Sequence, residues 1–115
     1  YPERVGFCLD TCHLFASGQW NGRNEAEWCR RARELGYFDH LAAVHANDSL
    51  HESGRRIDRH APLGAGRIGA DGFRRLLAAP ELSSLPVILE TPETDELPLD
   101  RQMRLLREWM GEKKQ

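Results

Sequence analysis

Residues 5–10 read Val-Gly-Phe-Cys-Leu-Asp, a short apolar run that ends in a carboxylate. Two later runs have the same form: residues 41–45 read Leu-Ala-Ala-Val-His, and residues 86–90 read Pro-Val-Ile-Leu-Glu. Short apolar runs bounded by polar residues are typical of buried strands. The sequence therefore predicts three buried strands, each followed by a potential metal ligand: Asp10, His45 and Glu90.

Amphipathic segments separate and follow these strands, at residues 24–35, 71–79 and 99–110. The first of them places Trp28, Ala32 and Leu35 on one helical face, and Pro80 is expected to stop the second. The intervals between strand ends are long enough for strand–helix–strand units of roughly 30 residues. The alternation therefore predicts an α/β fold with parallel strands joined by crossover helices.

Length and composition bound the function. With 115 residues the chain has room for one domain at most, and no apolar stretch approaches the roughly 18 residues of a membrane helix. A net charge of −2 provides no general basic field for nucleic acid, so any DNA contact would come from local basic residues or bound cations. Three cysteines are an odd count, which favours free thiols and a cytoplasmic location.

The three strand ends predict a metal site, because the carboxyl ends of parallel barrel strands meet at one mouth. Two pairs extend it: Asp10 is followed three residues later by His13, and Asp58 is followed two residues later by His60. Histidine and carboxylate ligands without cysteine are typical of catalytic zinc. Cys12 is expected to be a buried, unreactive thiol. The candidate ligands are Asp10, His13, His45, Asp58, His60 and Glu90.

Three longer motifs make the chain resemble a known family. They are Gly-Phe-Cys-Leu-Asp-Thr-Cys-His-Leu-Phe-Ala-Ser-Gly at 6–18, His-Ala-Asn-Asp-Ser at 45–49 with Asp-Arg-His at 58–60 and Gly-Ala-Gly-Arg-Ile-Gly at 64–69, and Ile-Leu-Glu-Thr-Pro at 88–92. In register, they resemble the endonuclease IV family of apurinic/apyrimidinic (AP) endonucleases (AP endonuclease family 2).

This resemblance implies a TIM barrel with three zinc ions at its mouth. His13, Asp58 and His60 would form one complete site, whereas Asp10, His45 and Glu90 would belong to a second, incomplete one. The other ligands, two His and a Glu, would come from earlier strands. Residues 1–115 would then be the C-terminal fragment of one barrel domain, holding about its last three βα units. We expect the chain alone to fold poorly or associate, and to be inactive without the N-terminal half.

The function implied by the resemblance is base-excision repair, in which the phosphodiester 5′ to an abasic site in DNA is hydrolysed. Arg56 and Arg67 lie on either side of the Asp58–His60 pair in sequence, and Arg59 lies within it. All three are candidates for contact with DNA phosphates. One alternative is a xylose isomerase-like sugar isomerase or epimerase that uses manganese or magnesium. Another is a zinc-binding remnant without catalytic activity.

Overall fold

The computed structural model describes residues 6–111, with α and β elements alternating as the sequence predicts. The elements are β1 (Phe7–Asp10), α1 (Thr11–Ser17), α2 (Glu25–Glu34), a 3₁₀ turn (Tyr37–His40), β2 (Leu41–Ala46), β3 (Asp48–Ser49), β4 (His60–Ala61), α3 (Gly69–Leu77), α4 (Pro80–Ser83), β5 (Val87–Leu89) and α5 (Leu99–Trp109). The three predicted strands correspond to β1, β2 and β5, and the three predicted helices to α2, α3 and α5. Val5, the predicted first residue of β1, lies outside the described residues.

A parallel sheet with the order β1-β2-β5 forms the centre of the fold. Leu9, Val44 and Val87 are in register, and all three belong to or pack against the buried apolar cluster. Side chains alternate between the two faces of a strand, so the neighbouring positions face the other way. On that opposite face Cys8 is exposed and Ile88 retains 45% of its accessible surface. The helices therefore cover one face of the sheet in the described part of the chain.

The core lies between the sheet and its helices. Its largest fully buried side chains include Trp20, Phe73, Leu76 and Leu82, and the ring of Phe73 on α3 stacks on that of Trp109 on α5 with centroids 5.5 Å apart. Burying each such side chain contributes roughly 1.5–3 kcal/mol, which anchors the helices on the sheet. Within residues 6–111, no helix is long and apolar enough to cross a membrane.

Two local features differ from the sequence predictions. The residues after β1 form the helix α1, which the sequence pattern did not predict, and Asp10 caps it by accepting a hydrogen bond from the His13 N–H at 3.1 Å. The helix α3 ends at Leu77, before Pro80, as the sequence predicts. Pro80 then begins the short helix α4, because the first turn of a helix needs no N–H from proline. Leu35 is 81% exposed rather than packed, because α2 ends at Glu34.

The long connection between β2 and α3 contains a small antiparallel ribbon. β3 pairs with β4, so that Asp48 lies opposite Ala61 and Ser49 opposite His60. The N–H of Leu50 donates to the carbonyl of Arg59 at 3.0 Å and extends the pairing. This ribbon folds the connection back over the carboxyl ends of β1 and β2, which brings His60 close to Asp10.

Candidate metal centre

The strand ends bring Asp10, His45 and Glu90 together; these three residues are called the strand-end group below. Asp10 and His45 are register partners on β1 and β2, and Glu90 follows β5 two residues after Ile88, the register partner of His45. All three side chains therefore point from the same face of the sheet. The His45 Nδ1 lies 2.8 Å from the Glu90 Oε1, and one ligand atom from each residue lies within 4.8 Å of the others.

The second predicted set gathers around Asp58 in the long connection. Its Oδ2 lies 3.3 Å from the His13 Nδ1, and its Oδ1 lies 3.6 Å from the His60 Nε2. Within residues 6–111, the ligand atoms of Cys12, Asp58 and His60 lie within 4.8 Å of one another. The His13 side chain is 75% exposed, and its Nδ1 contacts Asp58. Asp58, His60, Cys12 and His13 are called the loop group below.

The two groups adjoin each other. The Nε2 of His60 lies 3.5 Å from the Oδ2 of Asp10, and its Nδ1 lies 3.4 Å from the backbone oxygen of Glu90. The two parts of the chain that the sequence connects to metal chemistry therefore form one continuous array of imidazoles and carboxylates. Such an array can bind cations side by side, because each carboxylate has two oxygens that can face different ions.

Cys12 is close enough to be a ligand but is held as a thiol. It is completely buried, and its Sγ donates a hydrogen bond to the carbonyl of Arg59 at 3.5 Å. Burial, together with the neighbouring Asp58 carboxylate, raises the pKa of the Cys12 thiol to about 12. A metal ligand must be the thiolate, so the protein alone favours the unreactive, packed thiol that the sequence predicts.

Sequence reasoning missed Asp48, which holds the connection that carries Asp58 and His60. Its buried carboxylate accepts hydrogen bonds from five backbone N–H groups, those of Ser49, Gly64, Gly66, Ile68 and Gly69. Burial raises the pKa of the Asp48 carboxyl, and four of these N–H groups oppose that rise. The sequence did contain a signal for this role, because Asp48 closely follows a predicted strand and precedes a glycine-rich segment whose backbone N–H groups could approach a carboxylate.

The close approach of the backbone to Asp48 explains a glycine in that segment. A Cβ at Gly66 would lie 2.6 Å from the Asp48 Oδ1 and would also collide with the backbone oxygen of Ser49. The neighbouring N–H of Arg67 donates to the same Ser49 oxygen at 2.7 Å. The residues from Gly64 to Gly69 are therefore wrapped tightly around one carboxylate, and only glycine fits at position 66.

The three arginines considered for DNA contact occupy different places. Arg56 lines a cleft of about 410 Å³ with His13 and Asp58, and its backbone has a φ of 58°, unusual for a residue other than glycine. Arg59 is exposed beside Asp58 in the chain. Arg67 lines a separate cleft and lies 3.9 Å from the exposed carboxylate of Glu52. Of these three arginines, Arg56 is therefore the one that shares a cleft with candidate ligands.

Comparison with known proteins gives this geometry a context. The family model described as "Xylose isomerase-like TIM barrel" matches residues 2–112. The chain belongs to this family. Relatives named "Probable endonuclease 4" include one from Symbiobacterium thermophilum, 47% identical over 95 residues, and one from Chloroflexus aurantiacus, 41% identical over 111 residues. The crystal structure of endonuclease IV from Thermus thermophilus matches with a TM-score of 0.77 and 33% identity.

These alignments cover most of this chain but a minor part of each relative. The alignment with the Symbiobacterium thermophilum relative covers 83% of this chain and 34% of that protein, and the one with the Chloroflexus aurantiacus relative covers 93% and 39%. The match to the Thermus thermophilus structure covers 92% of this chain and 39% of that one. The resemblance to the endonuclease IV family is confirmed, as is the α/β class and the partial TIM barrel. The parallel sheet, its covered face and its open face are a sector of that barrel.

Proposed function

We propose that this chain contributes the C-terminal metal-binding part of a zinc-dependent AP endonuclease, which hydrolyses the phosphodiester 5′ to abasic sites in DNA. The observation that supports this most is the contact between the two candidate groups, with the His60 Nε2 3.5 Å from the Asp10 Oδ2. Phosphodiester hydrolysis commonly uses neighbouring metal ions about 3.5–4 Å apart, which stabilise the attacking and leaving oxygens. Adjoining ligand groups suit that arrangement.

Zinc is favoured by the chemistry of the donors. Imidazole nitrogen and carboxylate oxygen are the donors of catalytic zinc sites, whereas magnesium and manganese sites depend more heavily on oxygen. The set Asp10, His13, His45, Asp58, His60 and Glu90 contains three imidazoles and three carboxylates. When bound there, zinc would supply an activated water near neutral pH and a Lewis acid for phosphoryl oxygens.

The protein's own residues would orient the ligands and hold the substrate. Asp10 is fixed by the cap hydrogen bond to the His13 N–H, and Glu90 is drawn to His45 across the neighbouring strand end. Arg56, in the same cleft as His13 and Asp58, is the first candidate for a phosphate contact beside the metal site. Arg59 and Arg67 would contact phosphates further along the DNA backbone.

The remaining metal ligands would come from residues other than these 115. The family resemblance assigns two further histidines and a bridging glutamate to earlier strands, and the chain spans little more than a third of the relatives it matches. We therefore expect the isolated chain to be inactive on abasic DNA. In a complete barrel, further strands would cover the open face of the sheet, on which Cys8 and Ile88 are exposed.

A chimera tests this function directly. The chain replaces the matching C-terminal third of the Symbiobacterium thermophilum relative, and nicking of a duplex with one abasic site is measured with zinc, manganese or magnesium. The expected result is zinc-dependent nicking that His60→Ala abolishes and the matched change His51→Ala preserves. A folded chimera that binds zinc without nicking would contradict the proposal, and so would robust nicking by the 115-residue monomer alone. Sugar isomerisation with manganese or magnesium would favour the isomerase alternative.

A further inference from the structure

The side chain of Asn47 lies between two members of the strand-end group. It follows β2, the middle strand, whereas Asp10 ends β1 and Glu90 follows β5. The Asn47 Nδ2 donates a hydrogen bond to the Oδ2 of Asp10 at 3.0 Å, and its Oδ1 accepts one from the N–H of Glu90 at 3.2 Å. One amide thus connects the residues at the two outer strands across the middle strand.

Only an amide meets both demands at this position. The Asp10 carboxylate needs a donor, and the Glu90 N–H needs an acceptor; a side chain of similar size that offers both from one rigid plane is asparagine. Turning the amide over would place an oxygen against the Asp10 carboxylate and an NH₂ against the Glu90 N–H. Both contacts would then be unfavourable, so the two neighbours fix the orientation of the Asn47 side chain.

The surroundings of Asn47 leave it little freedom. The residue has no accessible surface, so water cannot replace its hydrogen bonds. The Thr11 Oγ1 accepts a hydrogen bond from the Asn47 N–H at 2.9 Å and donates one to the Asn47 carbonyl at 2.7 Å. Thr11 itself follows Asp10 in the chain, so backbone and side chain of Asn47 are both tied to the end of β1.

We propose that Asn47 is a positioning residue that holds Asp10 and Glu90 in the arrangement a metal ion requires. This inference rests on the proposed function, because it takes the strand-end group as the ligand set. Residues that hydrogen-bond to metal ligands and orient them commonly raise metal affinity 10- to 100-fold. Asn47 touches Asp10 and Glu90 and none of the loop group in the described hydrogen bonds, so its effect should be confined to the strand-end group.

The test is a Co²⁺ titration of the chimera with the Symbiobacterium thermophilum relative, followed by the visible absorption bands that report ligand geometry. Asn47→Leu removes both hydrogen bonds and keeps the number and branching of the side-chain heavy atoms. The matched control is Gln102→Leu, since Gln102 is an equally buried amide with hydrogen bonds to Leu63, Thr91, Pro92 and Leu97 and to no candidate ligand. Asn47→Leu is expected to shift the bands and weaken cobalt affinity 10- to 100-fold, while Gln102→Leu retains wild-type bands.

The outcomes separate the two hypotheses. Wild-type bands that Asp10→Asn removes but Asn47→Leu leaves unchanged would overturn the role of Asn47 alone. Equal changes in Asn47→Leu and Gln102→Leu would also overturn it, because general destabilisation would then account for both. A folded chimera without cobalt bands would overturn the metal site, and the role of Asn47 with it.

A measurement on the unsubstituted chain covers the case in which Asn47→Leu fails to fold. In the ¹⁵N-labelled wild-type protein, the side-chain NH₂ of Asn47 should exchange slowly with solvent and shift when Zn²⁺ is added. The NH₂ signal of Gln102 should be equally protected but insensitive to zinc. Fast exchange at Asn47, or identical responses of the two amides, would contradict the proposal.

Discussion

The strand-end group and the loop group use similar side chains but are placed by different parts of the structure. Asp10, His45 and Glu90 follow from the register of three parallel strands, with the closest contact, His45 to Glu90, at 2.8 Å. Asp58 lies in a connection, with its His13 and His60 contacts at 3.3 and 3.6 Å. That connection depends on the buried Asp48 carboxylate. The sheet therefore specifies one group, whereas a single buried side chain supports the other.

The largest expected difference concerns two thiols, Cys8 on the open sheet face and Cys12 beneath the connection. With a pKa of about 12, Cys12 has a thiolate fraction at pH 8 on the order of a thousandfold below that of an ordinary thiol. Iodoacetamide at pH 8 should therefore label Cys8 promptly and leave Cys12 unmodified, as peptide mass spectrometry would reveal. Equal labelling rates in the folded chain would mean that the connection does not cover Cys12.

Removing the Asp48 carboxylate should destabilise the connection that carries the loop group. In Asp48→Asn, an NH₂ group would face backbone N–H groups that now donate to a carboxylate, so the free energy of unfolding should fall by about 3 kcal/mol. Urea denaturation provides the measurement, and Asp71→Asn, at an exposed ion pair with Arg74, is the control with a change below about 0.5 kcal/mol. A loss below about 1 kcal/mol in Asp48→Asn would contradict the anchoring role.

A smaller effect is expected from crowding the same carboxylate. Gly66→Ala introduces a methyl group 2.6 Å from the Asp48 Oδ1, so the segment must shift, at a cost of about 2 kcal/mol. In the control Gly69→Ala, nothing lies within 4 Å of the added carbon, and only the φ of +72° opposes the change, at about 1 kcal/mol. The reverse order of the two melting temperatures would refute the close packing of this segment.

The smallest change in stability is expected near the strand-end group. Thr11→Val keeps the shape of the side chain but removes both hydrogen bonds to the Asn47 backbone, which should lower the free energy of unfolding by about 1 kcal/mol. Ser84→Ala, which removes an exposed hydroxyl at the end of α4, serves as the control. If the two variants unfold at the same urea concentration, the Thr11 contacts contribute nothing measurable.

The sequence predicted the parts of this molecule that follow from periodicity. Apolar runs gave β1, β2 and β5, and amphipathic spacing gave α2, α3 and α5, because burial on one face leaves a repeating pattern. The strand-end group followed from the same reasoning, since a polar residue ending a buried strand is conspicuous. Whether these residues bind metal stays a prediction.

The features that escaped prediction depend on hydrogen bonds between distant positions. Asn47 and Asp48 were visible only as part of a motif, because their partners lie in other elements, at Asp10 and Glu90 for one and in the segment 64–69 for the other. The helix α1 was missed because a side-chain cap at Asp10 starts it immediately after the strand. Single positions of this kind leave no periodic signal.

The central claim, that the two groups bind zinc together, is tested most directly by the zinc content of the purified chain after dialysis against a weak chelator. Three proteins are compared by elemental analysis: the wild type, His60→Ala and His51→Ala. His60 contacts members of both groups, whereas His51 belongs to neither. The account predicts that His60→Ala loses most of the bound zinc and that His51→Ala retains it. Equal zinc content in the two variants would contradict it.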